Sequence, residues 1–181
     1  LEGALTSLAV VTPLIIAIKT NNLSIIELLI NKEANINLTG KNNNVSPLSM
    51  ATLENNIPIV KLLLEKGARL DLETKNESIF DIAINHNFLE ILKLFTSDKR
   101  FNINLLNSKY EYKPPALYRA INNGYTQVVE LLIQVGVDIN KKNNRYDTPL
   151  IYAMSRNNNE IIELLLKNRV NINQQDDDGY T

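Results

Sequence analysis

One short pattern recurs five times along this chain, and recurrence at such a period dictates a stack of like units rather than one closed core. A polar residue, a proline and a leucine open three copies: Thr12-Pro13-Leu14, Ser46-Pro47-Leu48 and Thr148-Pro149-Leu150. Two degenerate copies stand between them, Ser78-Ile79-Phe80 and Pro115-Ala116-Leu117. The starts fall 34, 32, 37 and 33 residues apart. Each is followed at a fixed offset by alanine (Ala17, Ala51, Ala83, Ala120, Ala153) and then by a helix-stopping residue (Asn21, Asn55, Asn87, Gly124, Asn157). Thr12, Ser46 and Thr148 suit the cap of a first helix, and the prolines after them occupy its first turn, where the missing amide is harmless.

A second apolar segment follows each stop, as in Ile25-Ile26-Glu27-Leu28-Leu29 and Val128-Val129-Glu130-Leu131-Leu132. At helical spacing the aliphatic residues form one broad stripe and the single Glu or Lys falls opposite. Such short helices are marginal alone and bury a core only when stacked. Each unit closes on a polar link around one aliphatic residue: Asn35-Ile36-Asn37, Arg69-Leu70-Asp71, Asn102-Ile103-Asn104, Asp138-Ile139-Asn140 and Asn171-Ile172-Asn173. The aliphatic residue is expected in the seam between repeats, with the flanking Asn and Asp satisfying turn amides.

The Thr-Pro-Leu start, the alanine, the Gly/Asn stop and the closes Gly67-Ala68-Arg69-Leu70-Asp71 and Gly136-Val137-Asp138-Ile139-Asn140 resemble the ankyrin repeat family. The resemblance implies an all-α ankyrin-repeat solenoid of stacked helix-turn-helix units with hairpin-like links. The whole chain, 1–181, reads as a single array with units 12–45, 46–77, 78–114, 115–147 and 148–180. A further repeat is expected to begin near Thr181, and the apolar residues Leu5, Leu8 and Val10 suggest an earlier one. Family members commonly place a histidine just after the start, bonded back to it and across to the next repeat. Ile15, Ser49, Asp81, Tyr118 and Ile151 stand there instead, so that polar network is expected to be weakened throughout. The third unit is the most irregular, with about one extra residue in Thr96–Phe101 and a lengthened link over Leu105–Pro115.

The resemblance also implies a function: binding another protein through a concave face lined by first helices and hairpin tips. Matched by position, the expected protein-binding residues are Tyr112, Lys113, Tyr118, Arg119, Arg145, Tyr146, Tyr152 and Arg156. Tyrosine and arginine are the residue types that dominate binding hot spots, and they also suit a partly buried seam between repeats. The alternative is a non-catalytic spacer or targeting segment of a larger effector, with the activity outside residues 1–181. The family's asparagine hydroxylation in animal cells would fall on Asn37, Asn140 and Asn173.

Other classes fit poorly. With 19 basic and 20 acidic side chains the formal charge is -1, which argues against nucleic acid as a partner. The chain has no cysteine, so disulfides and sulfur-ligated metals are excluded, and His86 is its one histidine. Asp176-Asp177-Asp178-Gly179 lacks the spacing of a calcium loop and reads as part of a hairpin. No strained nucleophile turn, phosphate-cradling loop or dinucleotide fingerprint occurs. No apolar run reaches the roughly 18 residues of a membrane span. The expectation is therefore a monomeric, non-enzymatic protein with no cofactor or metal and a protein partner, cytoplasmic or nuclear, with secretion into a host cell compatible.

Overall fold

The computed structural model describes residues 12–40, 44–75, 77–106, 114–143 and 147–174. Leu1–Val11, Tyr110, Tyr112, Lys113, Arg145, Tyr146 and the acidic run at 176–178 lie outside the described residues. Among the described residues ten α-helices alternate short and long: α1 (Pro13–Lys19), α2 (Leu23–Asn31), α3 (Pro47–Leu53), α4 (Ile57–Glu65), α5 (Ile79–Asn85), α6 (Leu89–Ser97), α7 (Ala116–Asn122), α8 (Thr126–Gln134), α9 (Pro149–Ser155) and α10 (Asn159–Lys167). A 3-10 turn covers Ile103–Leu106, and a single antiparallel bridge joins Glu73 to Ser78. The chain forms two compact units, Leu1–Ala83 with Glu90–Phe101, and Ile84–Leu89 with Asn102–Thr181.

The recurring residues set the helix ends. Thr12, Ser46 and Thr148 accept the amides of Ile15, Ser49 and Ile151 at 3.2, 3.0 and 3.2 Å. Asn21, Asn55, Asn87 and Asn157 all sit at positive φ, between 50 and 57°, and Gly124 holds the same place at 70°. Asparagine tolerates that left-handed conformation better than other side chains, so it stops each first helix and turns the chain into the second. The second helices carry a cap of their own: the side-chain oxygens of Asn22, Asn56 and Asn158 accept the amides three residues on, at 3.1 to 3.2 Å. Tyr125 replaces the asparagine before α8 and caps nothing with its side chain.

A left-handed residue also ends four of the second helices. Gly67 and Gly136 take it at φ 88 and 89°, whereas Glu33 and Arg169 are forced into it at 63 and 61°. A Cβ there costs conformational energy that glycine avoids. Glu33→Gly and Arg169→Gly are each expected to stabilise the fold by about 0.5–1 kcal/mol, read as a higher denaturation midpoint at unchanged slope.

In the first unit α1 packs on α2 and α3, and α3 on α4. Its core includes Leu14, Ile18, Ile26, Leu48, Val60 and Leu63, all at most 2% exposed. The third repeat adds an aromatic cluster: the Phe80 ring lies 5.4 Å from Phe95, edge-on, and 5.8 Å from Phe101. In the second unit α7 packs on α8 and α9, and α10 on both α8 and α9. Here Leu117, Ile121, Val129, Leu132 and Ile161 are buried. All five recurring alanines are at most 4% exposed, which explains the choice: the short side chain lets neighbouring helices approach closely. Of the seam aliphatics, Leu70 is buried as expected, but Ile103 and Ile172 are exposed.

The links are stitched by asparagine. Asn35, Asn102, Asp138 and Asn171 each accept the amide two residues on, at 2.8 to 3.1 Å. Asn37 accepts the Arg69 amide at 2.9 Å and Asn140 that of Asn171 at 2.8 Å, tying each link to the next. The extra residue of the third repeat also has a role. Arg100 donates to both oxygens of Asp98, through Nε at 2.7 Å, and reaches back to the carbonyls of Leu64 (3.0 Å) and Ala68 (2.9 Å) at the end of α4. One guanidinium thus caps the preceding repeat with its charge balanced locally.

The polar network at the missing-histidine position is rebuilt rather than lost. Ser49 Oγ lies 2.8 Å from Ser46 Oγ. Asp81 and Ser78 form a reciprocal capping box, each side chain accepting the other's amide. Tyr118 bridges to the following link. The expected weakening holds only at the two isoleucines, Ile15 and Ile151.

Candidate protein-binding surface

The first-helix ends leave a row of exposed side chains: Lys19, Thr20, Leu53 and Glu54 in the first unit, His86, Asn122, Asn123, Ser155 and Arg156 in the second. Asn122 and Ser155 fall two places after the buried Ala120 and Ala153, on the opposite side of the helix, and Asn123 and Arg156 are the exposed C-cap residues that follow them. The second unit carries the richest arrangement.

Tyr118, on α7, is only 2% exposed. Its hydroxyl lies 2.8 Å from the Lys141 carbonyl and 2.7 Å from that of Asp147, so it pins both ends of the next hairpin. Burial, with the Asp147 charge second, pushes the phenol well above its ordinary range, and Tyr118 stays a neutral donor. The Tyr152 ring, on α9, meets it edge-on at 5.3 Å. Tyr152 donates its hydroxyl to Asn122 Oδ1 (3.1 Å) and accepts from Arg156 Nη2 (3.0 Å). The Arg156 guanidinium lies 5.0 Å above the Tyr152 ring, in cation–π range. A single chain of contacts therefore runs from the hairpin through two edge-on tyrosines to an exposed arginine.

The sequence-expected residues divide by depth. Tyr152 and Arg156 are brought together at the surface, with Asn122 at the end of α7 accepting from Tyr152. Tyr118 lies beneath them, and Arg119 is buried at 8% exposure. Tyr112, Lys113, Arg145 and Tyr146 fall outside the described residues. The Asp147 carboxylate is held by Asn143, whose Nδ2 donates to it at 3.0 Å. A cavity of about 200 Å3 borders Tyr118, lined also by Ile103, Leu106, Pro115, Val137 and Asp138. It is smaller than the few hundred Å3 usual for a small-molecule site. Among the described residues no group of His, Asp and Glu gathers as a metal site, and no helix is long and apolar enough to cross a membrane.

The family of ankyrin repeats (3 copies) matches residues 6–74 and 80–176, well over half of the chain. The chain belongs to the ankyrin repeat family. No curated protein sequence matches it. Among solved structures, it is similar to the ankyrin repeat domain of Bcl-3, described as a unique member of the IkappaB protein family, with a TM-score of 0.79 and 24% identity over 94% of this chain and 77% of that one. At that identity the likeness concerns the fold. The ankyrin family is one of protein–protein interaction modules, and the match indicates no catalytic family. The ankyrin fold alone does not select a partner.

Proposed function

We propose that this ankyrin protein is a scaffold that binds a partner protein through its first-helix face, the concave side in this family. The observation that carries the reading is the α7–α9 surface, where Tyr152 and Arg156 are held by Asn122 and by the buried Tyr118. Preorganised side chains lose less entropy on binding, and a Tyr–Arg pair on a rigid base is the composition of an energetic anchor. On the sequence pattern, Arg145 and Tyr146 belong to the hairpin tip preceding α9, and Tyr112 and Lys113 to the one preceding α7; these extend the proposed surface. Arg119 and Tyr118 serve it from below.

The test is affinity capture from extracts of the cells in which the protein occurs. One bait is the intact chain, the other Tyr152→Ala/Arg156→Ala, matched for helical circular dichroism. A protein retained by the first and lost from the second supports the proposal. Equal retention would move the binding face elsewhere, and capture by neither bait would favour a spacer whose activity lies in another part of a larger protein.

A further inference from the structure

Resting on the protein-binding reading, we infer that the partner segment received by the α7–α9 surface is acidic, and that Arg156 takes a carboxylate from it. Arg156 is exposed, yet its position is fixed at two points: one Nη2 bond to the Tyr152 hydroxyl, and the Tyr152 ring beneath its plane. The hydroxyl cannot swing away, because it donates to Asn122 Oδ1. A guanidinium has five N–H donors in a planar fork, so most of Arg156's donor capacity faces outward, prearranged for a two-oxygen acceptor.

No carboxylate among the described residues is ion-paired with it. Asn122, which shares the Tyr152 hydroxyl with it, and Ser155, the residue before it, are neutral. The exposed acids of this unit's helices, Glu130, Glu160 and Glu163, stand on α8 and α10 instead, and Glu160 accepts from Thr126. Arg156 is thus an exposed cation with no carboxylate partner among the described residues, within a chain of net charge -1.

One effect opposes an anion here, and one other anionic ligand competes for the site. The C-terminal ends of α7 and α9 point carbonyls towards the surface, but each helix has only 7 residues, and Arg156 sits at the end of α9 where it offsets that field. A nucleic-acid phosphate would also suit a guanidinium, but backbone binding needs a concentration of cations, and a chain of net charge -1 carries no excess of them.

The experiment is selection of random linear peptides displayed on phage, using the whole chain as bait beside Arg156→Gln and Arg156→Lys, with thermal unfolding confirming equal stability. Peptides selected by the parent chain are expected to be enriched in Asp and Glu over the library, and that excess should vanish on Arg156→Gln. Individual selected peptides should bind Arg156→Gln about ten- to hundredfold more weakly, with Arg156→Lys between, and weaken with added salt. Selected peptides without an acidic excess, or an excess that survives Arg156→Gln, would overturn the inference while leaving a peptide-binding surface in place. Binding of a labelled single-stranded oligonucleotide that is lost in Arg156→Gln would overturn it in favour of phosphate. Failure to enrich any peptide on any bait would overturn the inference together with the protein-binding reading beneath it.

Discussion

Replacing Arg100 by alanine is expected to lower stability at neutral pH by about 2–3 kcal/mol, a large share of what a domain of this size possesses. The substitution removes the donors to the Leu64 and Ala68 carbonyls and strands Asp98, whose side chain is only 12% exposed. The pH dependence gives a second signature. The hydrogen bonds from Arg100 hold the Asp98 carboxyl below the usual carboxylate range, against a smaller opposing push from burial. A depressed folded-state value means stability that is present above the unfolded pKa, about 3.9, and lost as pH falls through the folded one. The penalty of Arg100→Ala should therefore be largest at neutral pH and shrink below about pH 4, where protonation of Asp98 weakens the pair in the parent as well. Urea unfolding of both proteins across that range measures it; a penalty independent of pH would mean the Asp98 pair contributes little.

At Tyr118 the expected loss is larger still. Tyr118→Ala should cost about 3–5 kcal/mol, because a fully buried ring is replaced by a cavity. Tyr118→Phe keeps the ring and should cost about 1–2 kcal/mol, the contribution of the hydroxyl to the two hairpin carbonyls. The phenol's raised pKa also has a sign: its contribution is intact below the unfolded value of about 10 and declines as pH rises further, since only the unfolded chain then ionises readily. Tyr118→Phe should flatten that alkaline decline. Equal alkaline slopes in parent and variant would show that other groups cause it. Tyr118→Ala should also loosen Tyr152, which packs on the Tyr118 ring, and so weaken partner binding more than its distance from solvent suggests.

Much of this was legible in the sequence because the repeat fixes local chemistry. Proline after Thr or Ser, an alanine five residues on and a left-handed Asn or Gly four residues beyond require a short helix, a close helix contact and a reversal, and all five copies deliver them. The Asn and Asp of the links satisfy turn amides as their spacing suggests. What escaped is long-range. The extra residue near Arg100 reads as an irregularity, since nothing local says that its guanidinium reaches carbonyls 32 and 36 residues back. An Asp-x-Arg at a helix end was the available signal. The caps at Asn22, Asn56 and Asn158 were equally open to sequence reading, one residue after each stop, but the apolar run that follows draws the eye first.

The surface was legible in composition but not in depth. Tyr118, Arg119, Tyr152 and Arg156 lie close along two first helices, so one face and one seam look alike in sequence. Only packing separates them: the neighbouring hairpin offers two carbonyls to Tyr118 and covers it, while α9 leaves Arg156 in solvent. The pattern of replaced histidines teaches the same lesson. Ser49, Asp81 and Tyr118 share no chemistry with imidazole beyond polarity, yet each finds a partner within reach.

The most direct test of the binding account is calorimetric titration of the captured partner protein into two surface variants of equal charge change. Arg156→Ala with Asn122→Ala alters the first-helix face, and Lys61→Ala with Ser24→Ala alters exposed positions on second helices. The account predicts at least about a tenfold loss of affinity for the first variant and little change for the second. The reverse order would contradict it and place the partner on the second-helix side.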